Sequence, residues 1–231
     1  MRPVLVLQHV PWERPGLVGR ALAGIPVTAR TVVAEPGPDL PRPRDLAGLV
    51  VMGGPQDAGD DAAWPGLPAE RRLLAESVDD ALPVLAVCLG MQLLATALGA
   101  RLHRRHGTEI GFAQVDVHGS DPVLDPLGRR PTVLHWHSDA VDLPAGATAL
   151  VSTATTPVQA FRAGSALGLQ FHLEVDGDLL AEWTRTPAMV EGVPGVDVAR
   201  LLADGRRHLG DLGARASTGL EAVATAVRAR G

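Results

Sequence analysis

Three short stretches in the first half of the chain are apolar without interruption: the Val4 to Leu7 centre of Pro3 to His9 (PVLVLQH), Gly48 to Met52 (GLVVM) and Pro83 to Val87 (PVLAV). A strand with one wet face alternates apolar and polar residues, whereas a strand covered on both faces does not, so these runs predict the centre of a parallel sheet. Between them the period lengthens. Arg14 to Ala23 has helical spacing, Leu67 to Leu82 sets Leu73, Leu74, Val78 and Leu82 on one face, and Leu89 to Leu98 reads as another helix. A further strand is expected at about 26–33. Glu35 to Asp45 (EPGPDLPRPRD) is too rich in proline and glycine for anything but loop.

Beyond residue 110 the strands become shorter (FAQVDVH, TVLHWH, VQAFRA, ALGLQF) with turns between them, so part of the sheet is expected to be antiparallel. The last third is helical, with helices predicted at about 176–184, 196–203 and 217–228. The whole reads as α/β: a mostly parallel sheet flanked by helices, with some antiparallel strands. No repeat and no linker divides it, which points to one domain over 1–231, a core of about 3–185 and C-terminal helices at about 190–230.

Composition narrows the functional classes. A hydrophobic fraction of 46% and a charged fraction of 20% are those of a folded globular chain, and a net charge of -5 offers no footprint for a phosphate backbone. Nucleic acid is therefore an unpromising partner. No apolar run approaches the roughly 20 residues that cross a bilayer, and the N-terminal segment lacks a cleavage site, so a cytoplasmic location and no membrane partner are expected. Lysine and asparagine are absent, which excludes Schiff-base chemistry, a phosphate-loop lysine and a Cys-His-Asn set.

The one cysteine, Cys88, cannot form an internal disulfide. It stands where the strand PVLAV meets the helix opening Leu89-Gly90-Met91-Gln92, with small residues Ala86 and Gly90 on either side. That is the setting of a nucleophile elbow: a tight strand-to-helix turn holds the sulfur clear of the sheet, at a helix N-terminus that favours negative charge. A small buried core residue is the commoner fate of a free cysteine.

The string Ala86 to Gln92 (AVCLGMQ) resembles the G-x-C-x-G-x-Q elbow of class I, or triad, glutamine amidotransferases. Three more strings follow that family's order: Met52-Gly53-Gly54-Pro55 is similar to its oxyanion turn, His137-Ser138-Asp139 to its glutamine-pocket segment, and Gln170-Phe171-His172-Leu173-Glu174 to its QFHPE signature. Ala86 stands in place of a usual glycine and Leu173 in place of a usual proline. The resemblance implies a flavodoxin-like sheet and a catalytic triad of Cys88, His172 and Glu174. It further implies oxyanion donors at the backbone N–H groups of Gly54 and Leu89, and a pocket of Gly53, Gln92, Trp136, Ser138 and Asp139.

The activity so implied is hydrolysis of the glutamine side-chain amide through a cysteinyl thioester, with no cofactor. The ammonia would pass to a separate synthetase, as in the glutaminase half of GMP synthase, since these residues hold neither an S-G-G-x-D-S string nor a phosphate loop. A γ-glutamyl hydrolase is an alternative on the same fold. An alternative of another kind is a binding subunit without catalysis. His103, His106 and Glu109 have spacings compatible with a metal but lie in an arginine-rich stretch, and no metal is assigned. Trp12 and Trp64 fall in loops, where they serve a partner, a lid or simple anchoring.

Overall fold

The computed structural model describes residues 1–191 and 193–231; Gly192, inside the predicted C-terminal helical region, lies outside the described residues. In chain order the elements are β1 (Val4–Leu7), α1 (Gly16–Ala21), β2 (Val27–Arg30), β3 (Gly48–Val51), α2 (Leu67–Asp79), β4 (Val84–Val87), α3 (Leu89–Ala97), β5 (Leu102–His103), β6 (Glu109–Gln114) and β7 (Asp116–Val117). They continue with β8 (Thr132–His137), β9 (Ala140–Val141), β10 (Thr148–Ser152), β11 (Ala160–Ala163), β12 (Ala166–Leu169), α4 (Gly177–Trp183), α5 (Pro187–Val190) and α6 (Val198–Arg230).

Eight strands form one sheet in the order β2-β1-β3-β4-β12-β11-β10-β7. The first five run parallel and the last three pair antiparallel. The uninterrupted apolar runs are the central strands β1, β3 and β4, and their alternate residues serve opposite faces. Val4, Val6, Val50, Leu85 and Val87 join the cluster under α1 and α6, while Leu5, Leu7, Leu49, Val51 and Ala86 join the cluster under α2 and α3. Burial on both sides is why neither register carries a polar residue. By contrast the predicted strand at 26–33 shortens to β2, an edge strand with three exposed residues out of four.

Two antiparallel ribbons, β5 with β9 and β6 with β8, stand apart from the sheet. They carry His137, Ser138 and Asp139 toward its carboxyl edge. Among the described residues no helix is long and apolar enough to cross a membrane.

The C-terminal helices differ from the expectation. Instead of segments at 196–203 and 217–228, one 33-residue helix, α6, runs from Val198 to Arg230. The stretch between, rich in glycine and arginine, hid its period. What holds it helical is tertiary: Leu201, Leu212, Ala216, Leu220, Ala224 and Val227 make a continuous buried stripe. Gly205 and Gly219 let Leu180 and the Val123 carbonyl approach closely. Asp197 caps its start by accepting from Arg200 N at 3.0 Å.

Candidate active site

The carboxyl ends of β1, β3, β4 and β12 meet at one edge of the sheet, the place where open α/β sheets bind ligands. Cys88 follows β4 directly. Its backbone nitrogen donates to Leu169 O of β12 at 2.7 Å, and its φ of 53° lies in the left-handed region that a side chain rarely adopts. The strain is held by packing. A Cβ on Gly90 would overlap the Val51 carbonyl oxygen, so glycine there lets α3 start hard against β3. Ala86, fully buried, fits where the family usually has glycine. Cys88 is 7% exposed and lines a cavity of about 480 Å³.

His172 follows β12 after Gln170 and Phe171. It is held by a backbone bridge to Leu134, with His172 N donating to Leu134 O at 2.9 Å. This is a bridge rather than a continuing strand, and Leu173 in place of proline leaves His172 and Glu174 on one side. His172 Nδ1 meets Glu174 Oε1 at 2.6 Å, both side chains buried. Burial of the ring disfavours its cation, but the Glu174 carboxylate and the Cys88 sulfur outweigh that and raise the ring's pKa well above 6.5. The thiol itself points at Trp136 O, 3.8 Å away, leaving His172 Nε2 without a hydrogen-bond partner among the described residues. The proximity that perturbs the ring is therefore present while the Cys88–His172 hydrogen bond is not yet made, as is common in sites without substrate.

Trp183 of α4 meets the His172 ring edge-on, with centroids 4.9 Å apart, and donates from Nε1 to Trp12 O at 2.8 Å. Trp12 thus anchors its loop against α4, and Trp64 packs on the core beneath α2.

The predicted pocket residues divide. Gly54, Gln92, Trp136, Ser138 and Asp139 line the cavity together with Cys88 and His172. Gly53 and Leu89 do not line it: a Cβ on Gly53 would fall against Glu13 and Cys88, and Leu89 is the first residue of α3. Gln92 Nε2 is engaged with Gln170 Oε1 at 3.2 Å. Asp139 Oδ1 accepts from Arg105 N at 2.8 Å, fixing the turn that brings Arg104 and Arg105 to the cavity mouth.

Residues that the sequence pattern did not assign complete the site. Glu13, on the loop after β1, lines the cavity at 4% exposure, and its carboxylate occupies the space that a Cβ on Gly53 would fill. Burial, reinforced by the nearby Glu174, pushes its carboxyl from 4.5 up to about 7 against the opposing pull of His172 and His9. No local spacing marks it. His103, His106 and Glu109 do not converge on a metal site; His103 pairs with Asp142 at 2.8 Å.

Glu109 instead meets His135 and His137, their ligand atoms lying within 4.8 Å of one another. Its oxygens accept from Thr153, Thr156 and Gln159. Although burial opposes it, hydrogen bonds from His137, Thr153 and Thr156 hold the carboxyl at about 2. Glu109 is thus engaged by its neighbours, while both ring nitrogens of His135 have no hydrogen-bond partner among the described residues, and no metal is assigned to the cluster.

Comparison with known proteins bears on the family and the fold. The family model described as "Glutamine amidotransferase class-I" matches residues 27–181, more than half of the chain. A GMP synthase [glutamine-hydrolyzing] of Thermomicrobium roseum is 36% identical over 129 residues, which make up 55% of this chain and 23% of that protein. The glutamine amidotransferase-like protein YfeJ of Salmonella typhimurium is 32% identical over 133 residues, covering 54% of this chain and 56% of YfeJ. The chain spans about a quarter of the length of the curated GMP synthases it matches. Among solved structures, a glutamine amidotransferase of Thermotoga maritima superposes with a TM-score of 0.87 at 29% identity, over 96% of this chain and 98% of that one. Another, from Methylobacillus flagellatus, has a TM-score of 0.79 at 30% identity, over 100% and 94%. The chain belongs to the class I glutamine amidotransferase family.

Proposed function

We propose that the protein hydrolyses the side-chain amide of glutamine through a γ-glutamyl thioester on Cys88 and releases ammonia to an acceptor on a separate synthetase. The observation that carries this reading is the convergence of Cys88, strained at a helix N-terminus, with a His172 ring whose far nitrogen is held by Glu174.

A carboxamide is a poor electrophile and amide anion an impossible leaving group, so the site must supply a strong nucleophile and a proton. A cationic His172 beside the sulfur favours the thiolate, and the free N–H groups at the start of α3 add to that. The thiolate attacks the δ-carbonyl carbon, and the C–N bond breaks as His172 gives its Nε2 proton to the departing nitrogen. Ammonia leaves and a thioester remains. Water then attacks with His172 as general base, the C–S bond breaks, and glutamate is released. Glu174 keeps the imidazole in one orientation and supports its positive charge through both steps.

The negative oxygen of each tetrahedral intermediate is assigned to the backbone N–H groups of Gly54 and Leu89. Removing one such donor costs about 2.7 to 4 kcal/mol of transition-state stabilisation. Gln92, Trp136, Ser138 and Asp139 would take the amino-acid end of the substrate. One subunit of the GMP synthase [glutamine-hydrolyzing] of Saccharolobus solfataricus is 35% identical to this chain over 96 residues. That likeness supports an arrangement in which the glutaminase and the synthetase are separate chains.

Glutamine labelled with nitrogen-15 at its amide tests the reading. Labelled ammonia is expected from the wild-type protein and not from Cys88→Ala. Turnover of γ-glutamyl peptides without release from glutamine would replace it with a γ-glutamyl hydrolase.

A further inference from the structure

His9, on the loop after β1, makes two hydrogen bonds that the reaction just described does not use. Its Nδ1 lies 2.9 Å from Gly53 O, and its Nε2 lies 3.0 Å from Glu70 Oε2 of α2, with both side chains 1% exposed. A backbone carbonyl can only accept, and with Glu70 as a carboxylate the second partner also only accepts, an arrangement in which the ring brings an N–H to each. Only the imidazolium has two.

What the ring grips is the peptide between Gly53 and Gly54. Among the described residues there are no cis peptides, and in a planar trans unit the C=O and the N–H point in opposite directions. Holding Gly53 O toward His9 therefore turns the Gly54 N–H the other way. Gly54 is on the cavity wall beside Cys88, and Gly53 is not.

We propose that His9, kept as an imidazolium by Glu70, is the positioning residue of the oxyanion hole: it clamps the Gly53 carbonyl so that the Gly54 N–H faces the developing charge. A positive charge on the carbonyl side also polarises the peptide and strengthens its N–H as a donor. The inference rests on the proposed amidohydrolase reading and deepens it.

The surroundings fit. Besides Glu70 from α2, the titratable group facing the ring is Glu13 on its own loop. Burial works against the cation, yet the hydrogen bond and charge of Glu70, the Gly53 carbonyl and Glu13 raise the ring's pKa above 6.5. On the turn's other side Gly54 is crowded by Gln56, the His9 Cβ and Leu89, which leaves the peptide little freedom to rotate.

The test compares two double variants, so that no charge is stranded in the interior. His9→Leu with Glu70→Gln removes the clamp. His9→Asn with Glu70→Gln keeps a donor, since the asparagine amide nitrogen takes the place of Nδ1. The first is expected to lose about 10- to 100-fold in kcat for glutamine, within the range that one oxyanion donor commands, with KM unchanged, and the second to recover most of it.

Alkylation of Cys88 by iodoacetamide needs no oxyanion hole. It should proceed at the wild-type rate in both variants, showing that the fold and the thiol are intact. In Glu70→Gln the ring can stay neutral, with Nδ1–H on Gly53 O and Nε2 accepting from the glutamine amide. In the wild type, loss of the second His9 ring proton is expected to lower kcat at high pH, and that fall should vanish in Glu70→Gln.

A long-range nitrogen–proton NMR spectrum decides the protonation state without any turnover. It is expected to show both His9 ring nitrogens protonated at neutral pH, and the Gly54 amide shifted in the leucine variant. A singly protonated ring, or wild-type kcat in the leucine variant, overturns the proposal. If the wild-type protein releases no ammonia, the amidohydrolase reading fails, and the NMR result still judges the clamp.

Discussion

Replacing Glu13 with glutamine should stabilise the protein, and more so as the pH rises. Glu13 is 4% exposed, and its carboxyl titrates near 7 rather than 4.5 because burial disfavours its charge. The unfolded chain ionises at the ordinary value, so between pH 4.5 and 7 the folded state binds a proton that the unfolded state has released. Stability of the wild type is thus undiminished by this group below pH 4.5 and is lost as the pH rises through about 7. A difference of 2.5 units, taken from 4.5 to about 7, corresponds at about 1.36 kcal/mol per unit to a ceiling of about 3 kcal/mol.

Glutamine keeps the shape and never ionises, so Glu13→Gln escapes the loss. Urea unfolding at pH 5, 6, 7 and 8 should give a stability gain over wild type that grows along the series and levels off near pH 8. A gain that is flat with pH, or a variant less stable at pH 8, would refute the assignment of a protonated, buried carboxyl at this position.

Glu174→Gln leaves His172 without its carboxylate, and a fall in kcat of about 10² or more is expected in steady-state ammonia release, since positioned acid–base catalysis supplies about 10² to 10⁴. Trp183→Ala removes a fully buried ring that braces His172 and binds the Trp12 carbonyl. It should cost about 3 to 5 kcal/mol in denaturant unfolding, with kcat reduced as well. Gly210 is exposed within α6 and a Cβ there meets nothing within 4 Å. Gly210→Ala should therefore gain about 0.5 to 1 kcal/mol; a loss would mean that the helix is broken there.

The parts of the fold written in local pattern were legible before the structure. The runs VLVL, GLVV and VLAV read as doubly covered strands, and the spacing of Leu73, Leu74 and Val78 as a helix face. Cys88 was marked by its strand-to-helix corner, whereas His172 and Glu174 were singled out only by the resemblance of residues 170–174 to a family signature. What stayed hidden depends on distant partners. Glu70, in the middle of α2, looks like a solvated helix residue until His9, 61 positions earlier, is folded onto it. Glu13 sits in a loop with no period at all. The unity of α6 was masked by its glycines, unfavourable for a helix in isolation, two of which, Gly205 and Gly219, admit Leu180 and the Val123 carbonyl.

The central claim is that the sulfur of Cys88 carries the substrate's acyl group. Acid-quenched mixtures of protein and glutamine, analysed by intact-mass and peptide mass spectrometry during turnover, measure this directly. The account predicts a γ-glutamyl adduct on the peptide containing Cys88, and neither adduct nor ammonia in Cys88→Ala. Ammonia released at the wild-type rate by Cys88→Ala would contradict it.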